Sequence, residues 1–383
     1  MSGALNGNGR RNGVGRPNGN GRLNRNGRRP HPVRVAVVGL GYWGPNLVRN
    51  LHEIAEGDVV TVCDVDEARL ATVARRYPAI ATTTMFDDVL ADPDVDAVAL
   101  ATPVSTHFPL GLAALAAGKH VFVEKPLAAS SDEALELLSQ AGQSGLVLMP
   151  GHTFLYSPPV NTVRGLIDSG ELGEIYFVSM SRVNLGLHQP DVSVAWDLGP
   201  HDFSILRYWL GEAPTHVAAL SRGFILPETP DVAFIHLEFA SATIAHVELA
   251  WLAPSKLRRT TIVGSAKMVT YDDTSNEPVR VFDSGVMLRD PRTFGEYTLT
   301  YRTGDIVSPH IPAAEPLALE LSDFCSAVRD GETPRSSAAL GLDVVRTIEA
   351  VDMSLDADGA RVDVALQAPI SPTSRPLTRA APR

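Results

Sequence analysis

The chain has 383 residues, of which 44% are hydrophobic, so it is long enough to form two globular domains with sizeable cores. Its net charge of −11 argues against nucleic-acid binding as the main function. Two widely separated cysteines exclude a disulfide scaffold, and no apolar stretch approaches the roughly 18 residues that a membrane span needs. We therefore expect a cytoplasmic protein without membrane or nucleic-acid partners.

The two ends of the chain differ in composition from the rest. Residues 1–30 contain seven arginines and no acidic residue, which leaves a charge of −18 for the remainder (26 basic against 44 acidic residues). This Gly/Asn/Arg-rich segment has no apolar periodicity and no secretory-signal pattern, so residues 1–31 are predicted to be a disordered tail. A weak polyanion-binding arm is the alternative. A second disordered tail is predicted over residues 369–383.

The first predicted element is the short, apolar, β-branched run Val33–Val38, which is typical of a buried parallel strand. Three glycines follow it with the spacing G-x-G-x-x-G: Gly39, Gly41 and Gly44. Between strand and helix, such a turn binds a pyrophosphate at the helix N-terminus. The pattern therefore predicts a dinucleotide site, with an ordinary glycine-rich turn as the alternative.

The second predicted strand, Val59–Cys63, leads directly into Asp64. A carboxylate at this position accepts hydrogen bonds from the adenosine ribose hydroxyls and repels a 2′-phosphate. Asp66 and Glu67 add negative charge, and no basic residue follows Asp64 before Arg69. The sequence therefore favours NAD over NADP.

Strand and helix patterns alternate as far as Pro150, which predicts a doubly wound parallel sheet, a Rossmann fold, over residues 32–149. The remaining predicted elements of this domain are the helices Glu67–Tyr77, Phe108–Ala117 and Ser131–Ser144 and the strands Asp96–Thr102, His120–Glu124 and Leu146–Met149.

Beyond Pro150, strand-like runs follow one another, and several alternate apolar and polar residues, as an antiparallel sheet with one covered face does. These runs are Ile175–Val183, His216–Leu220, Val232–Phe239, Thr243–Trp251, Arg259–Val263 and Lys267–Tyr271. Helices are predicted at about 158–168, 201–211, 315–329 and 336–354. We therefore expect a C-terminal α+β domain over residues 150–368, with a large, mostly antiparallel sheet.

Lys125 ends the predicted strand His120–Glu124 and precedes Pro126. The carboxyl ends of parallel strands bind ligands in open α/β sheets. An ammonium group there can stabilise the alkoxide that forms as a hydride leaves. A solvated lysine is the alternative.

Asp197 and His201 are four residues apart and share one face of a helical turn. Because proline fits best near a helix start, Pro200 places the pair at a helix N-terminus. Histidine is the usual general base near neutral pH, and a neighbouring carboxylate can orient it. The alternative is a helix-capping aspartate beside a surface histidine.

Other polar residues lie near the predicted cleft. His152 and Tyr156 open the second domain and are predicted to line the cleft, unless this segment is a hinge whose aromatic rings simply pack. His107 follows a strand end together with Thr102 and Pro103 and is predicted to lie near the nicotinamide. No segment shows metal-ligand spacing, so no metal site is predicted.

From about Val33 to about Val362 these motifs, in this order, resemble the Gfo/Idh/MocA family of oxidoreductases. The resemblance implies that Lys125 positions cofactor and substrate and that His201 is the base, with Asp197 beside it. It further implies cofactor contacts from the following residues: Gly39, Gly41, Tyr42, Trp43, Gly44, Asp64, Thr102, Pro103, His107, Glu124 and Lys125.

Within the family, the segments Gly41–Asn46, Gly151–Pro158 and Trp196–Asp202 are most similar to nucleotide-sugar 3-dehydrogenases. The resemblance implies NAD-dependent oxidation of the 3-hydroxyl of UDP-N-acetylglucosamine or its uronic acid, in a homodimer or homotetramer. Substrate contacts are expected from His152, Tyr156, Arg182, Asn184 and Trp196, although Arg182 alone also fits a surface charge at a sheet edge. The alternatives are an inositol or polyol dehydrogenase, an NAD(P)H-dependent 3-keto-sugar reductase and a non-catalytic dinucleotide sensor.

Overall fold

The computed structural model describes residues 31–186, 188, 192–289 and 298–364. Those from Pro32 onward belong to one structural unit. Apart from His31, the two predicted tails, residues 1–31 and 369–383, lie outside the described residues.

The first half of the described chain is a parallel sheet of six strands in the order β3-β2-β1-β4-β5-β6. The strands are β1 (Val33–Val38), β2 (Gly57–Cys63), β3 (Ala81–Thr83), β4 (Ala97–Leu100), β5 (His120–Glu124) and β6 (Leu148–Gly151). The helices between them are α1 (Gly44–Glu53), α2 (Glu67–Arg76), α3 (Phe86–Ala91), α4 (His107–Ala116) and α5 (Ser131–Ser144). The strand order reverses next to β1, so the carboxyl edge of β1 and β4 borders the crevice in which such sheets bind ligands.

The second half is built on a nine-stranded sheet in the order β14-β13-β12-β11-β7-β10-β9-β8-β15, in which only the β7–β10 pair is parallel within the described ranges. Its strands are β7 (Ile175–Val183), β8 (His216–Arg222), β9 (Val232–Glu238), β10 (Ile244–Ala250), β11 (Leu257–Gly264), β12 (Met268–Asp272), β13 (Val279–Arg289), β14 (Thr298–Val307) and β15 (Val362–Asp363). Four helices accompany it: α6 (Pro158–Asp168), α7 (Val194–Leu210), α8 (Pro316–Asp330) and α9 (Ala338–Asp356). The predicted α/β fold class with a second α+β part is confirmed.

Helix α7 begins earlier than the sequence predicts. Ser193 caps it by accepting a hydrogen bond from the backbone N–H of Trp196, and Pro200 is the seventh helical residue. An interior proline costs a helix about 3 kcal/mol. The cap and the burial of Val194 and Ala195 outweigh this cost. Asp197 consequently lies in the first turn, and His201 lies about one turn further along the helix.

A shared core joins the two halves, because one cluster of buried side chains runs from β1 to α9. Phe122 of β5 and Phe324 of α8 meet edge to face at 5.7 Å. Helix α8 also fixes the 3₁₀ turn Thr153–Tyr156 that follows β6: the hydroxyl of Thr153 donates to Glu320 at 2.7 Å.

The hydroxyl of Tyr156 also links the 3₁₀ turn to α8. It donates to the carboxylate of Asp323 at 2.7 Å and accepts from the backbone N–H of Ser336 at 3.1 Å, and the side chain is almost fully buried. Both hydrogen bonds link the start of the second half to α8 and to the segment before α9. The donor of Tyr156 and one acceptor position are therefore taken by the protein, whereas the sequence predicts a substrate contact.

None of the helices in the described part of the chain is both long and apolar enough to cross a bilayer.

We expect Tyr156→Phe to lower the free energy of unfolding by about 1–3 kcal/mol, because the half-buried Asp323 carboxylate and the buried Ser336 N–H each lose a partner. Urea denaturation measures the change. Tyr176→Phe, at a tyrosine that is half exposed on β7, is the control and should change stability by less than about 0.5 kcal/mol. Equal midpoints for the two variants would show that the hydroxyl of Tyr156 does not support the fold.

Candidate active site

Two of the three glycines in the turn after β1 lie tightly against backbone atoms, and one faces open space. Gly39 has φ +89°, and a Cβ there would lie 2.6 Å from the carbonyl oxygen of Ala101. A Cβ on Gly44 would lie 2.0 Å from the carbonyl oxygen of Gly39, whereas one on Gly41 would meet no atom within 4 Å. The open side at Gly41 lets a pyrophosphate approach the backbone in front of α1, so these residues fit a bound dinucleotide.

Two aromatic side chains project from this turn. Tyr42 is 85% exposed and Trp43 is 42% exposed, and their rings meet edge to face at 5.5 Å. Their exposure leaves them free to contact a ligand bound along the turn.

The carboxylate of Asp64 lies at the end of β2, facing the glycine turn. It accepts hydrogen bonds from the backbone N–H groups of Leu40, at 2.5 Å, and Asp66, at 2.8 Å. The guanidinium of Arg69 reaches the same carboxylate at 3.6 Å. Asp64 is thus fixed beside the first and second glycines, where a ribose hydroxyl can reach it.

His107 fastens the loops after β4 and β5 together. Its ring nitrogens lie 2.9 Å from the carbonyl oxygens of Thr102 and Pro126, and burial lowers the pKa of the imidazole. The neutral ring has one N–H, which donates to one of these two oxygens and thereby ties the ring to the backbone of this edge. His107 thus lies between the loop after β4 and the turn at Lys125, and its predicted place near the nicotinamide stays a prediction.

Lys125 reaches from the first half into α7. Its Nζ donates to the backbone oxygen of Asp197 at 2.8 Å and to the carboxylate Oδ1 at 3.2 Å. The other carboxylate oxygen of Asp197 accepts from the indole N–H of Trp251 at 3.2 Å. Asp197 thus orients Lys125, and within the described ranges its carboxylate makes no hydrogen bond to the ring of His201. An ammonium has three donors, so one remains for a substrate oxygen.

His201 lies one helical turn beyond Asp197 with its Nδ1 enclosed and without a hydrogen-bond partner in the described structure. Its ring meets the ring of Phe154 edge to face at 5.0 Å. Burial, and then the positive charges of Lys125 and Arg182, lower the pKa of the imidazole well below 6.5. The ring is consequently neutral at neutral pH, which is the form that a general base requires.

The cations near His201 each have a carboxylate partner. Arg182 of β7 is buried and forms two hydrogen bonds with Asp202, of 2.6 and 3.0 Å, so it is not a surface charge. Arg258 of β11 pairs with Asp273 at 3.1 Å. The two guanidinium groups lie 4.7 and 5.7 Å from the ring centroid of Phe154.

Buried groups without full pairing surround the start of the 3₁₀ turn. His152 is 1% exposed, and burial together with Lys125 lowers its pKa to about 3. Burial raises the pKa of Glu124 to about 7, although Lys125 opposes the shift. Burial and the nearby Glu124 raise the pKa of Glu320 well above its usual value. These carboxyl groups are therefore much weaker acids than exposed glutamates.

Two other predicted substrate residues lie at the margin of this cluster. The indole N–H of Trp196 donates to Asp352 of α9 at 2.8 Å, so its polar atom points into the helical layer. Asn184 directly follows β7, and its backbone N–H donates to Ala250 at 3.1 Å. The structure thus gathers Lys125, Asp197 and His201, but gives Trp196 and Tyr156 protein partners.

The sequence predictions did not include Trp251, Phe154 or Arg258 as site residues. Period-2 alternation along β11 places Arg258 and Arg259 on opposite faces, a signal that could have identified one of the pair as inward-facing. Nothing comparable marks Trp251 or Phe154, because their roles depend on partners far away in the chain. Within the described ranges, no three His, Cys, Asp or Glu side chains are grouped so that they could hold a metal ion.

The chain matches two family models. The NAD-binding Rossmann fold of an oxidoreductase family covers residues 33–152, and the GFO/IDH/MocA C-terminal domain covers residues 160–270. Among curated proteins, the scyllo-inositol 2-dehydrogenase (NAD(+)) of Bacillus subtilis (strain 168) is 28% identical over 79% of this chain and 88% of its own length.

Solved structures show the same fold. GenD2 from gentamicin A biosynthesis, in complex with NAD, is 27% identical with a TM-score of 0.73, over 87% of this chain and 97% of that one. The UDP-N-acetylglucosamine 3-dehydrogenase GnnA from Acidithiobacillus ferrooxidans has a TM-score of 0.70 over 85% of this chain and 97% of that one, and its 24% identity supports the fold alone.

The family models cover both halves of the molecule. The glycine turn and Asp64 fit NAD, the cofactor of the family that the first model describes. This chain belongs to the Gfo/Idh/MocA family and is an NAD-binding oxidoreductase that acts on a CH–OH group.

Proposed function

We propose that the protein oxidises a ring hydroxyl of a nucleotide sugar, with C3 of UDP-N-acetylglucosamine or its uronic acid as the first candidate. The observation that carries the proposal is the placement of a charged Lys125 and a neutral His201 at the carboxyl edge of a dinucleotide-binding sheet. A secondary alcohol needs these two groups: one for the developing charge on oxygen and one for its proton.

The residues divide the work between them. His201 takes the proton from the hydroxyl, and Lys125 donates a hydrogen bond to the same oxygen as it becomes an alkoxide. Bound NAD⁺ supplies the nicotinamide that accepts the hydride from the carbinol carbon. Asp197 acts through Lys125, since it fixes the ammonium with both its backbone and its carboxylate oxygen. The alcohol thus becomes a ketone: its hydroxyl proton goes to His201, and the hydrogen on the carbinol carbon leaves with two electrons as the hydride.

A polyol such as an inositol is the second candidate substrate. The observation that favours it is the 28% identity to an enzyme named scyllo-inositol 2-dehydrogenase. Reduction of a 3-keto sugar would run the same chemistry backwards and use the same residues. A non-catalytic sensor is disfavoured because it would not need a paired lysine beside a neutral histidine.

The exposed face of the second sheet supports a homo-oligomer, either a dimer or a tetramer. Large apolar side chains are exposed on neighbouring strands β7, β8, β9 and β10: Phe177, Leu220, Phe234 and Ile244. They form two cross-strand pairs on one face, Phe177 beside Ile244 and Leu220 beside Phe234, and exposed apolar groups of this kind are typical of a protein–protein interface. A second copy of the same face is the partner that a two-fold symmetric homo-oligomer would bring to it.

The first experiment follows NADH formation by absorbance with a panel of UDP-, dTDP- and GDP-sugars and inositols. We expect turnover of a UDP-sugar, and we expect His201→Ala to reduce kcat at least 100-fold because the base is lost, with NAD⁺ binding retained. Ser204→Ala, one turn further along α7, controls for disturbance of the helix. Near-normal turnover by His201→Ala would contradict the assignment of the base, and turnover of inositols alone would overturn the choice of substrate.

Cofactor preference depends on Asp64. We expect Asp64→Ser to raise the ratio of kcat/KM for NADP⁺ to that for NAD⁺ by at least 10-fold, because the repulsion of a 2′-phosphate is removed and Arg69 is freed. Steady-state kinetics with both cofactors measure the ratio. Asp66→Asn removes a neighbouring charge but keeps the helix cap, and should change the ratio far less. An unchanged ratio in Asp64→Ser would count against a ribose contact.

The pH dependence tests the electrostatics around His201. A lowered pKa keeps the base neutral to lower pH, so the acid limb of kcat/KM should lie below pH 6.5. Replacing Arg258 by Met removes one of the charges that lower this pKa, so the limb should move to higher pH. The control is Arg259→Met on the same strand, whose side chain is exposed and pairs with Asp272. Identical profiles for both variants would exclude the effect of Arg258.

A further inference from the structure

His152 lies beside Lys125 for a topological reason. Strands β5 and β6 are parallel neighbours, and Glu124 pairs with Gly151. Lys125 and His152 are the next residues on the two strands, so both emerge side by side at the carboxyl edge of the sheet. His152 also lies near His201.

Both ring nitrogens of His152 are enclosed and lack a hydrogen-bond partner in the described structure, although the side chain is 1% exposed. A buried polar atom left unpaired is costly, and such atoms are rare in native proteins. The imidazole therefore pays a stability cost that no protein contact offsets.

The neighbouring histidine of the same edge shows the contrast. His107 is equally buried, yet each of its nitrogens lies 2.9 Å from a carbonyl oxygen. One buried imidazole flanking Lys125 thus has a protein acceptor for its N–H, and the other has no protein partner for either nitrogen in the described structure. The difference points to a ligand as the missing partner of His152.

We propose that His152 binds substrate directly, donating one hydrogen bond and accepting another from polar groups adjacent to the hydroxyl that is oxidised. This rests on the proposed function and specifies its substrate. A neutral imidazole has one donor and one acceptor. It therefore matches a ring that carries hydrogen-bonding groups, hydroxyl or amide, next to the reacting carbon, and it disfavours an isolated secondary alcohol.

The imidazole does not act as a second base. Burial and Lys125 hold it uncharged across the working range of pH, so it contributes fixed hydrogen bonds rather than proton transfer. Lys125 then binds the reacting oxygen, His201 takes its proton, and His152 binds the polar group beside it.

The test compares His152→Phe, His152→Gln and Tyr156→Phe in the full-length protein. We expect His152→Phe to keep or raise the melting temperature of the apoprotein, by about 1–3 °C, because an unpaired imidazole is replaced by an apolar ring. Tyr156→Phe, in the same segment and equally buried, should lower it, because its hydroxyl has two partners. A fall for His152→Phe like that of Tyr156→Phe would overturn the proposal.

Kinetics provide the second measurement, with the substrate identified in the panel. His152→Phe should lower kcat/KM about 10–100-fold, leave NAD⁺ affinity within twofold and leave the acid limb of the pH profile in place. His152→Gln, which keeps one donor and one acceptor, should recover part of the loss. Wild-type kcat/KM in His152→Phe would also overturn the proposal. If the wild type turns over no compound in the panel, the proposed function fails, whereas the melting comparison still decides whether His152 is reserved for a ligand.

Discussion

The contact between Lys125 and Asp197 is the interaction on which the reaction centre depends, because it joins a strand end of the first half to a helix of the second. Lys125 is held by two oxygens of Asp197, and the carboxylate is held in turn by Trp251 at the end of β10. The ammonium is partly buried, at 15% exposure. A charge in this setting is tolerated because it is paired and hydrogen-bonded. The two halves therefore meet at the atom that must contact the substrate oxygen.

The other positive charges around His201 are also paired with carboxylates. Each cation is matched by one carboxylate: Arg182 by Asp202, and Arg258 by Asp273. The pairs keep the region near neutral overall, while their positive ends lie close enough to lower the pKa of His201. Helix α7 contributes Asp197, His201 and Asp202, so a single element carries the proposed base and the carboxylate partners of Lys125 and Arg182. The electrostatic environment of the base is thus set by the packing of α7 on the sheet.

Local patterns in the sequence were enough for most of the fold and for the position of the main catalytic candidates. The glycine spacing, Asp64 and the strand ending at Lys125 are short-range signals, and the alternation of elements predicts the parallel sheet. The i,i+4 spacing of Asp197 and His201 predicts a shared helix face, but it does not reveal a lysine 72 residues away in the chain as the true partner of Asp197. The start of α7 was misplaced because Pro200 is a strong local signal, whereas the burial that outweighs it is tertiary.

Tyr156 and His152 also show that sequence patterns do not reveal the tertiary partners of a side chain. Both are polar residues in one short segment, and their sequence context is equally consistent with a cleft. The structure separates them by what their polar atoms meet: Tyr156 is paired with α8, whereas His152 is enclosed beside Lys125 without a partner. Unpaired atoms of His201 and Arg182 occur in the same region. Such atoms also occur elsewhere in the described structure, so they support the site only together with the Lys125–Asp197 contact and the sheet edge at which it lies.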